Sequence, residues 1–381
     1  MHVVVLGAGY AGLTLTRLLE RTLPAAAEIT LVDESPDHLV QHELHRVIRR
    51  PELANEITVS LPAAVDRATV RVARVERIDR DERVVSLSSG DLDYDLAAIC
   101  LGARTAFYGL DGVAEYGTPL KRLPHATRIR RRALEVCRRD HADIVVGGAG
   151  LSGIQVAGEL AALAADEGSS ASVTILEQAD RVAPGFPANF QRAVERTLSS
   201  CGVTVRTGTT VTSADPERIH FDAGESVRYD QFIWTGGIRG PDAFDGDRPT
   251  VGPTLQLDDH TFGIGDATRV VDADGETVPA SAQSAIREAR TAATNIARLA
   301  EASIDGTDAT ATELESFSFN SPGWLVSVGD DAVAQVGPAV FTGPAAQTLK
   351  ATVGVGYLSS IGALRNAADL LSQETIAGRR E

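Results

Sequence analysis

Two glycine clusters, each closed by an acid, are the residues of this chain best suited to chemistry. Gly7, Gly9 and Gly12 stand in a G-x-G-x-x-G pattern directly after the apolar run Val3 to Leu6. Leu13, Leu15, Leu18 and Leu19 follow at helical spacing, and a second apolar run, Ile29 to Val32, ends at Asp33, 21 residues beyond Gly12. This strand–turn–helix–strand–acid frame is suited to hold a dinucleotide. Gly7 allows the tight turn, Gly9 lets the backbone approach a pyrophosphate, and Gly12 lets the helix lie close on the strand. The helix N-terminus offers unpaired N–H groups and a positive dipole end to phosphates. Asp33 is placed to accept hydrogen bonds from ribose hydroxyls.

The pattern returns 141 residues later. Asp143-Ile-Val-Val-Gly leads into Gly148, Gly150 and Gly153, a helix follows from Ile154 to Leu163, and Val173-Thr-Ile-Leu ends at Glu177. A repeat at that distance means a second domain and not a solenoid. A carboxylate at the ribose position repels a 2′-phosphate, so Glu177 predicts NADH over NADPH, with nearby Arg181 moderating the preference. Two such sites suggest one tightly held redox cofactor and one exchanging nicotinamide. Further on, a strand from Tyr229 to Thr235 runs into Gly236-Gly237, and a strand from Thr261 ends at Gly265-Asp266. Carboxyl ends of strands are where ligands sit in open α/β sheets. A helix expected from Pro279 to Leu299 would bring its positive end near Ala282 and Gln283.

Between these stretches, Ser35-Pro36 marks a turn, and Leu39, Leu44, Val47 and Ile48 suggest a short helix. Glu56 to Leu61, Thr69 to Ile78 and Val84 to Leu87 read as strands of a small meander. The run Tyr94 to Leu101 closes on Gly102 and returns the chain to the first sheet. Arg128 to Arg139 reads as a basic helix with a solvated face.

At 381 residues the chain has room for two or three cores. The net charge of −16 argues against a nucleic-acid partner. Lys121 and Lys350 are the only lysines, which fits either adaptation to concentrated salt or GC-rich coding of an ordinary acidic protein. No apolar run approaches the roughly 18 residues of a spanning helix, and no basic segment precedes the first apolar run, so a cytoplasmic location is expected. Cys100, Cys137 and Cys201 are too widely spaced for a zinc knuckle or a redox dithiol, and are expected to pack as small buried hydrophobes.

Taken together, the residues resemble the two-dinucleotide-domain flavoproteins of the pyridine nucleotide–disulfide oxidoreductase superfamily. Within it they are most similar to type II NADH dehydrogenases, the single-subunit NADH:quinone oxidoreductases. The resemblance runs over residues 1 to about 300 and is carried by the opening fingerprint with Asp33, His38-Leu-Val-Gln41, Tyr94-Asp95 with Leu101-Gly102, Gly148 to Glu159, Trp234 to Arg239, Gly265-Asp266 and Ala282-Gln283. It implies an α/β fold of two Rossmann-like domains, the FAD domain (1–110 and 236–310) interrupted by an NADH domain (111–235), with a C-terminal segment at 311–381. It implies FAD on Gly7, Gly9, Gly12, Asp33, Gly102, Gly265, Asp266 and Ala282, and NADH on Gly148, Gly150, Gly153, Glu177 and Gly236. Hydride would pass from NADH to the flavin, and two electrons on to a quinone near Gln283 and Arg287, without proton pumping. Glu159 would orient the nicotinamide region, or serve only as a helix-surface acid. His42 and His45 are read as packing or surface residues before proton relays.

Gln155 stands where relatives commonly have a glutamate, and Arg287 where they often have a glutamine. No cysteine lies in Gln41-His-Glu-Leu-His45, where disulfide reductases carry theirs. A sulfide:quinone oxidoreductase and a flavin-bearing redox sensor remain the alternatives. From Ala345 to Gln373, Leu349, Val353, Tyr357, Ile361, Leu364, Ala368 and Leu371 form one apolar stripe on a helix, with Lys350 and Arg365 placed for lipid headgroups. The stripe fits a membrane surface, a homodimer contact or internal packing alike.

Overall fold

The computed structural model describes residues 1–222, 224–304, 306 and 312–377, with side chains described through residue 370. Strand β1 (His2–Leu6) is flanked by β2 (Glu28–Asp33) and β4 (Leu96–Ile99), with β3 (Thr69–Val72) beyond β2. These strands run parallel, and helix α1 (Tyr10–Thr22) makes the crossover from β1 to β2. The chain returns to this sheet much later through β9 (Gln256–Asp258) and β10 (Thr261–Gly263), giving the order β9-β10-β4-β1-β2-β3. Val3, Val4, Val5 and Leu6 are wholly buried, as a central strand covered on both faces must be.

A second parallel sheet is formed by β5 (Asp143–Gly147), β6 (Ser172–Leu176), β7 (Val203–Arg206) and β8 (Gln231–Trp234), in the order β7-β6-β5-β8. Its helix α3 (Leu151–Asp166) repeats the crossover of α1, α2 (Leu123–Val136) leads into it, and α4 (Ala188–Ser200) connects β6 to β7. The first sheet therefore takes strands from both sides of residues 143–234, which form a sheet of their own. The boundary expected at residue 310 lies outside the described residues.

Helix α5 (Ala282–Ile304) lies along α1. Its buried face, Ala285, Ala289, Ala292 and Ala293, is small enough for the two backbones to come close. The C-terminal segment has its own antiparallel sheet of β11 (Gly323–Val328), β12 (Asp331–Val336) and β13 (Ala339–Thr342), followed by helices α6 (Pro344–Ser360) and α7 (Leu364–Ala377).

Several expectations are corrected. The strand expected over Thr69 to Ile78 is two strands, the first an edge of the main sheet and the second, Val75–Asp79, part of a separate hairpin. The strand expected over Glu56 to Leu61 is only Thr58–Ser60, because Pro62 begins a short helix at Leu61. The single C-terminal helix is broken at Gly362, whose φ of +81° no helix accommodates. Its stripe does not face one way either: ahead of the break Tyr357 and Ile361 are buried but Val353 is 55% exposed, and past it Leu364 is 68% exposed. The side chain of Leu371 lies outside the described residues. The basic helix is not merely solvated, since Arg130 donates to the carbonyls of Ile48 and Arg49 and Arg132 to that of Asp230. Of the cysteines only Cys100 is fully buried; Cys137 and Cys201 are half-buried, Cys201 against the core.

Where α3 meets the β11–β12 turn, a Cβ on Gly158 would stand 2.4 Å from the Gly329 nitrogen and 2.7 Å from Val328. Alanine gains about 1 kcal/mol over glycine in a helix, but overpacking against backbone costs about 1–3 kcal/mol. Gly158→Ala is therefore expected to lower stability in urea unfolding; a rise in the midpoint would show that this contact yields freely.

Candidate active site

The two fingerprint turns are built alike. Gly7 and Gly148 both have φ of +97°, and a Cβ on either would strike backbone, at 2.4 Å from the Cys100 oxygen and 2.9 Å from the Gly236 Cα respectively. A Cβ on Gly12 would fall 1.7 Å from the Gly7 oxygen, and one on Gly153 would fall 1.9 Å from the Gly148 oxygen. Gly9 and Gly150, which cap α1 and α3, face open space, with nothing within 4 Å of the missing Cβ. Each turn is then fixed by its acid. Asp33 Oδ2 accepts the Ala8 N–H at 2.6 Å, and Glu177 Oε2 accepts the Ala149 N–H at 2.7 Å. Burial raises the Asp33 carboxyl above its ordinary value, against the hydrogen bonds from Ala8 and Ser35. Two open, amide-lined turns at helix N-termini fit two dinucleotide pyrophosphates.

At the carboxyl end of β10, Gly265 adopts φ of +70° and donates its N–H to Glu288 Oε2 at 2.6 Å. Glu288 lies one turn and more into α5, is 2% exposed, and was not singled out from the sequence. Burial lifts its carboxyl to about 7, with Asp266 adding to the rise. The half-buried Asp266 carboxylate makes no hydrogen bond to a described residue, and Lys121 lies close enough to feel its charge. Gly102, at φ +65° with open space beside it, lies three residues past the end of the neighbouring strand β4. In the second sheet Gly236 lies over Trp234, whose ring a Cβ would meet at 2.4 Å.

Ala282 begins α5 with Gln283 beside it. Gln283 is approached by the Ser321 hydroxyl at a long 3.5 Å. The Arg287 guanidinium donates to the Asn320 carbonyl and stacks 5.9 Å from the Phe319 ring centre. Both side chains thus face the strap at 319–321, and Arg287 is partly committed to it.

Glu159 lies elsewhere. It is 4% exposed on α3, and burial raises its carboxyl to about 7 against the pull of Lys350 and Arg46. It is not the surface acid that one sequence reading allowed. The same cations act on Glu43 in the 3₁₀ turn Gln41–Ile48. Burial alone would raise Glu43, but Arg46 at 2.8 Å and Lys350 hold it well below the usual carboxylate range. Lys350 therefore lies beside buried acids, not at a headgroup position. In the same cluster Tyr10 Oη and His42 Nδ1 are 2.6 Å apart, and His45 Nε2 lies 2.7 Å from the Ser327 hydroxyl. Burial pushes both histidines below their ordinary value, so they are neutral packing groups.

Two parallel sheets, each ending in the same amide-lined turn, define an α/β protein that handles two dinucleotides. The chain belongs to the pyridine nucleotide–disulphide oxidoreductase family, whose profile matches residues 1–289. A type II NADH:quinone oxidoreductase of Haemophilus influenzae is 26% identical over 396 residues, 86% of this chain and 85% of the relative. One from Staphylococcus epidermidis is 27% identical over 401 residues, 95% of this chain and 96% of the relative. Among solved structures, NDH2 of Plasmodium falciparum in complex with NADH superposes with a TM-score of 0.81 at 15% identity, covering 98% of each chain. The sulfide:quinone oxidoreductase of Aquifex aeolicus does so with 0.81 at 18%, covering 96% of this chain and 92% of that one. At these identities the structural likeness speaks for the fold alone.

Glu288 keeps its proton in the folded chain up to about pH 7, whereas unfolded it loses it near the ordinary 4.5. Its contribution to stability is complete below about 4.5 and is lost as pH rises through about 7. Glu288→Gln keeps an oxygen for Gly265 and removes the titration. It should match the parent near pH 4 and exceed it by ~2–3 kcal/mol at pH 8. Parallel unfolding curves for parent and variant across that range would contradict this.

Proposed function

We propose that the chain is an FAD-dependent NADH:quinone oxidoreductase, holding FAD on the first turn and NADH on the second. The observation that carries this reading is the matched pair of turns, one completed by Gly265 and Asp266 from the far end of the chain, the other ending on Glu177. FAD, when bound, supplies a carrier that takes a hydride from NADH and passes two electrons to a quinone. The protein's part is binding and orientation. Gly7, Gly9, Gly12 and the α1 amides receive the FAD pyrophosphate, Asp33 its ribose, and Asp266 its ribityl hydroxyls. The N-terminus of α5 at Ala282 brings positive dipole charge to the reduced ring. Gly148, Gly150, Gly153, Gly236 and Glu177 hold NADH. Gln283 borders the quinone, and Arg287, tied to Asn320, shapes that border and does not donate freely into it.

Glu159, buried in company with Arg46 and Lys350, is assigned the orienting of the nicotinamide region on the family likeness alone. Three separate cysteines, with the Cys100 thiol pushed far up by burial, give sulfide chemistry no nucleophile pair. No helix among the described residues is long and apolar enough to cross a membrane. Val336, Phe341, Leu349, Val353 and Leu364 are nevertheless exposed on the C-terminal segment, with Arg365 on the same helix pair. These exposed apolar side chains suit contact with the surface of a quinone-bearing membrane, with a second copy of the chain as the competing occupant.

Anaerobic NADH should bleach the flavin of the purified protein, and a quinone should restore its colour. Reduction by sulfide that outpaces NADH would overturn the assignment. Glu177→Gln should narrow the preference for NADH over NADPH by on the order of tenfold in kcat/KM; an unchanged ratio would remove Glu177 from the nucleotide site.

A further inference from the structure

The FAD turn is held from a second direction, by a residue 319 positions from its partner. Tyr357, on α6 of the C-terminal segment, places its hydroxyl 2.9 Å from His38 Nε2. His38 Nδ1 lies 2.8 Å from the Ala8 carbonyl oxygen. His38 is 1% exposed and burial lowers its pKa to about 4, so the ring is neutral and carries a single proton. A carbonyl oxygen only accepts, so that proton is on Nδ1. Nε2 is then bare and accepts the Tyr357 O–H. The Ala8 residue is clamped at both ends: its N–H by Asp33 at 2.6 Å and its carbonyl by His38. The Tyr357 ring also lies 4.8 Å from that of Tyr10, the first residue of α1. Tyr10 in turn accepts the His42 N–H at 3.0 Å, and its hydroxyl shares a second hydrogen bond with His42 Nδ1 at 2.6 Å.

We propose that Tyr357 is a positioning residue for FAD: through His38 it fixes the Ala8 carbonyl of the fingerprint turn, so that the C-terminal helix locks the cofactor into the first cradle. The proposal rests on the reading that FAD occupies that cradle. The geometry suits a lock better than a redox or proton-transfer role, because the chain of hydrogen bonds ends on a backbone carbonyl that cannot pass a proton on. It also explains why an acid and a histidine are both spent on one turn residue. Asp33 alone would leave the Ala8 carbonyl free to rotate with the Ala8–Gly9 peptide, the peptide that faces the open phosphate space.

The test uses the purified flavoprotein and follows FAD release by the rise of free-flavin fluorescence. Tyr357→Phe keeps the ring and its contact with Tyr10 and removes only the hydroxyl. It should speed release on the order of tenfold, the scale of one buried hydrogen bond, and leave NADH binding to the second cradle unchanged. Ser359→Ala, an exposed change on the same helix, should release FAD at the parent rate. His38→Gln should speed release at least as much as Tyr357→Phe, and the double variant should be no faster than His38→Gln alone, since the hydroxyl acts only through the histidine. Equal release from parent and Tyr357→Phe, or fully additive effects in the double variant, would overturn the lock while leaving FAD binding intact. A parent chain that takes up no FAD at all would instead overturn the functional reading together with the lock.

Discussion

Every feature of the site depends on one constraint, that the peptide entering each helix must present its N–H groups to open space with no side chain in the way. That peptide cannot hold its place by itself. In each cradle a glycine with φ of +97° makes the turn, and a second glycine lets the helix come within a Cβ's width of that turn's carbonyl. An acid from the next strand ties down the amide between them. The sheets matter because they bring that acid to the turn: β1 and β2, or β5 and β6, must run parallel with their carboxyl ends level. The crossover helix sets both direction and hand.

What distinguishes the cradles is the company each keeps. The first is completed by residues far along the chain, Gly265 with Glu288 beneath it and Tyr357 behind His38. The second is completed by its own strand, through Gly236. A cofactor to be retained and a substrate to be exchanged call for this difference. Elsewhere, the buried Glu43, Arg46 and Glu159 share a charged cluster with Lys350, which joins the 3₁₀ turn, α3 and α6. Ions out of water are costly, and such a cluster contributes little net stability even when well paired. Its effect is to couple three parts of the chain, because moving any one of them would strand a charge.

The sequence made both cradles legible because their requirements are local: glycine spacing, a helix after it and an acid at a strand end. The same local logic singled out Gly102, Gly236 and Gly265 as residues that end or follow strands. It missed Glu288, since a glutamate inside an amphipathic helix reads as a surface residue until α5 is laid against Gly265. It missed the pairing of Tyr357 with His38 for a different reason: the two sit on distant elements, and a tyrosine in an apolar stripe reads as core. The stripe itself was misread as one helix because its spacing continues across Gly362, where only the backbone angle shows the break. The small sheet β11–β13 left no clear alternation, because four consecutive residues of β12, Ala332, Val333, Ala334 and Gln335, are all buried.

The central claim is that the two cradles are separate and take different nucleotides. Gly9 and Gly150 both have φ near −70° and open space at the missing Cβ, so valine at either position is accepted by the protein and obstructs only the ligand. Nucleotide content and NADH affinity should be measured side by side for Gly9→Val and Gly150→Val, each confirmed to be folded by its circular dichroism, since loss of a bound cofactor by itself lowers the melting temperature. The account predicts that Gly9→Val loses FAD and keeps NADH, and that Gly150→Val keeps FAD and loses NADH. Two folded variants that lose both nucleotides, or neither, would contradict it.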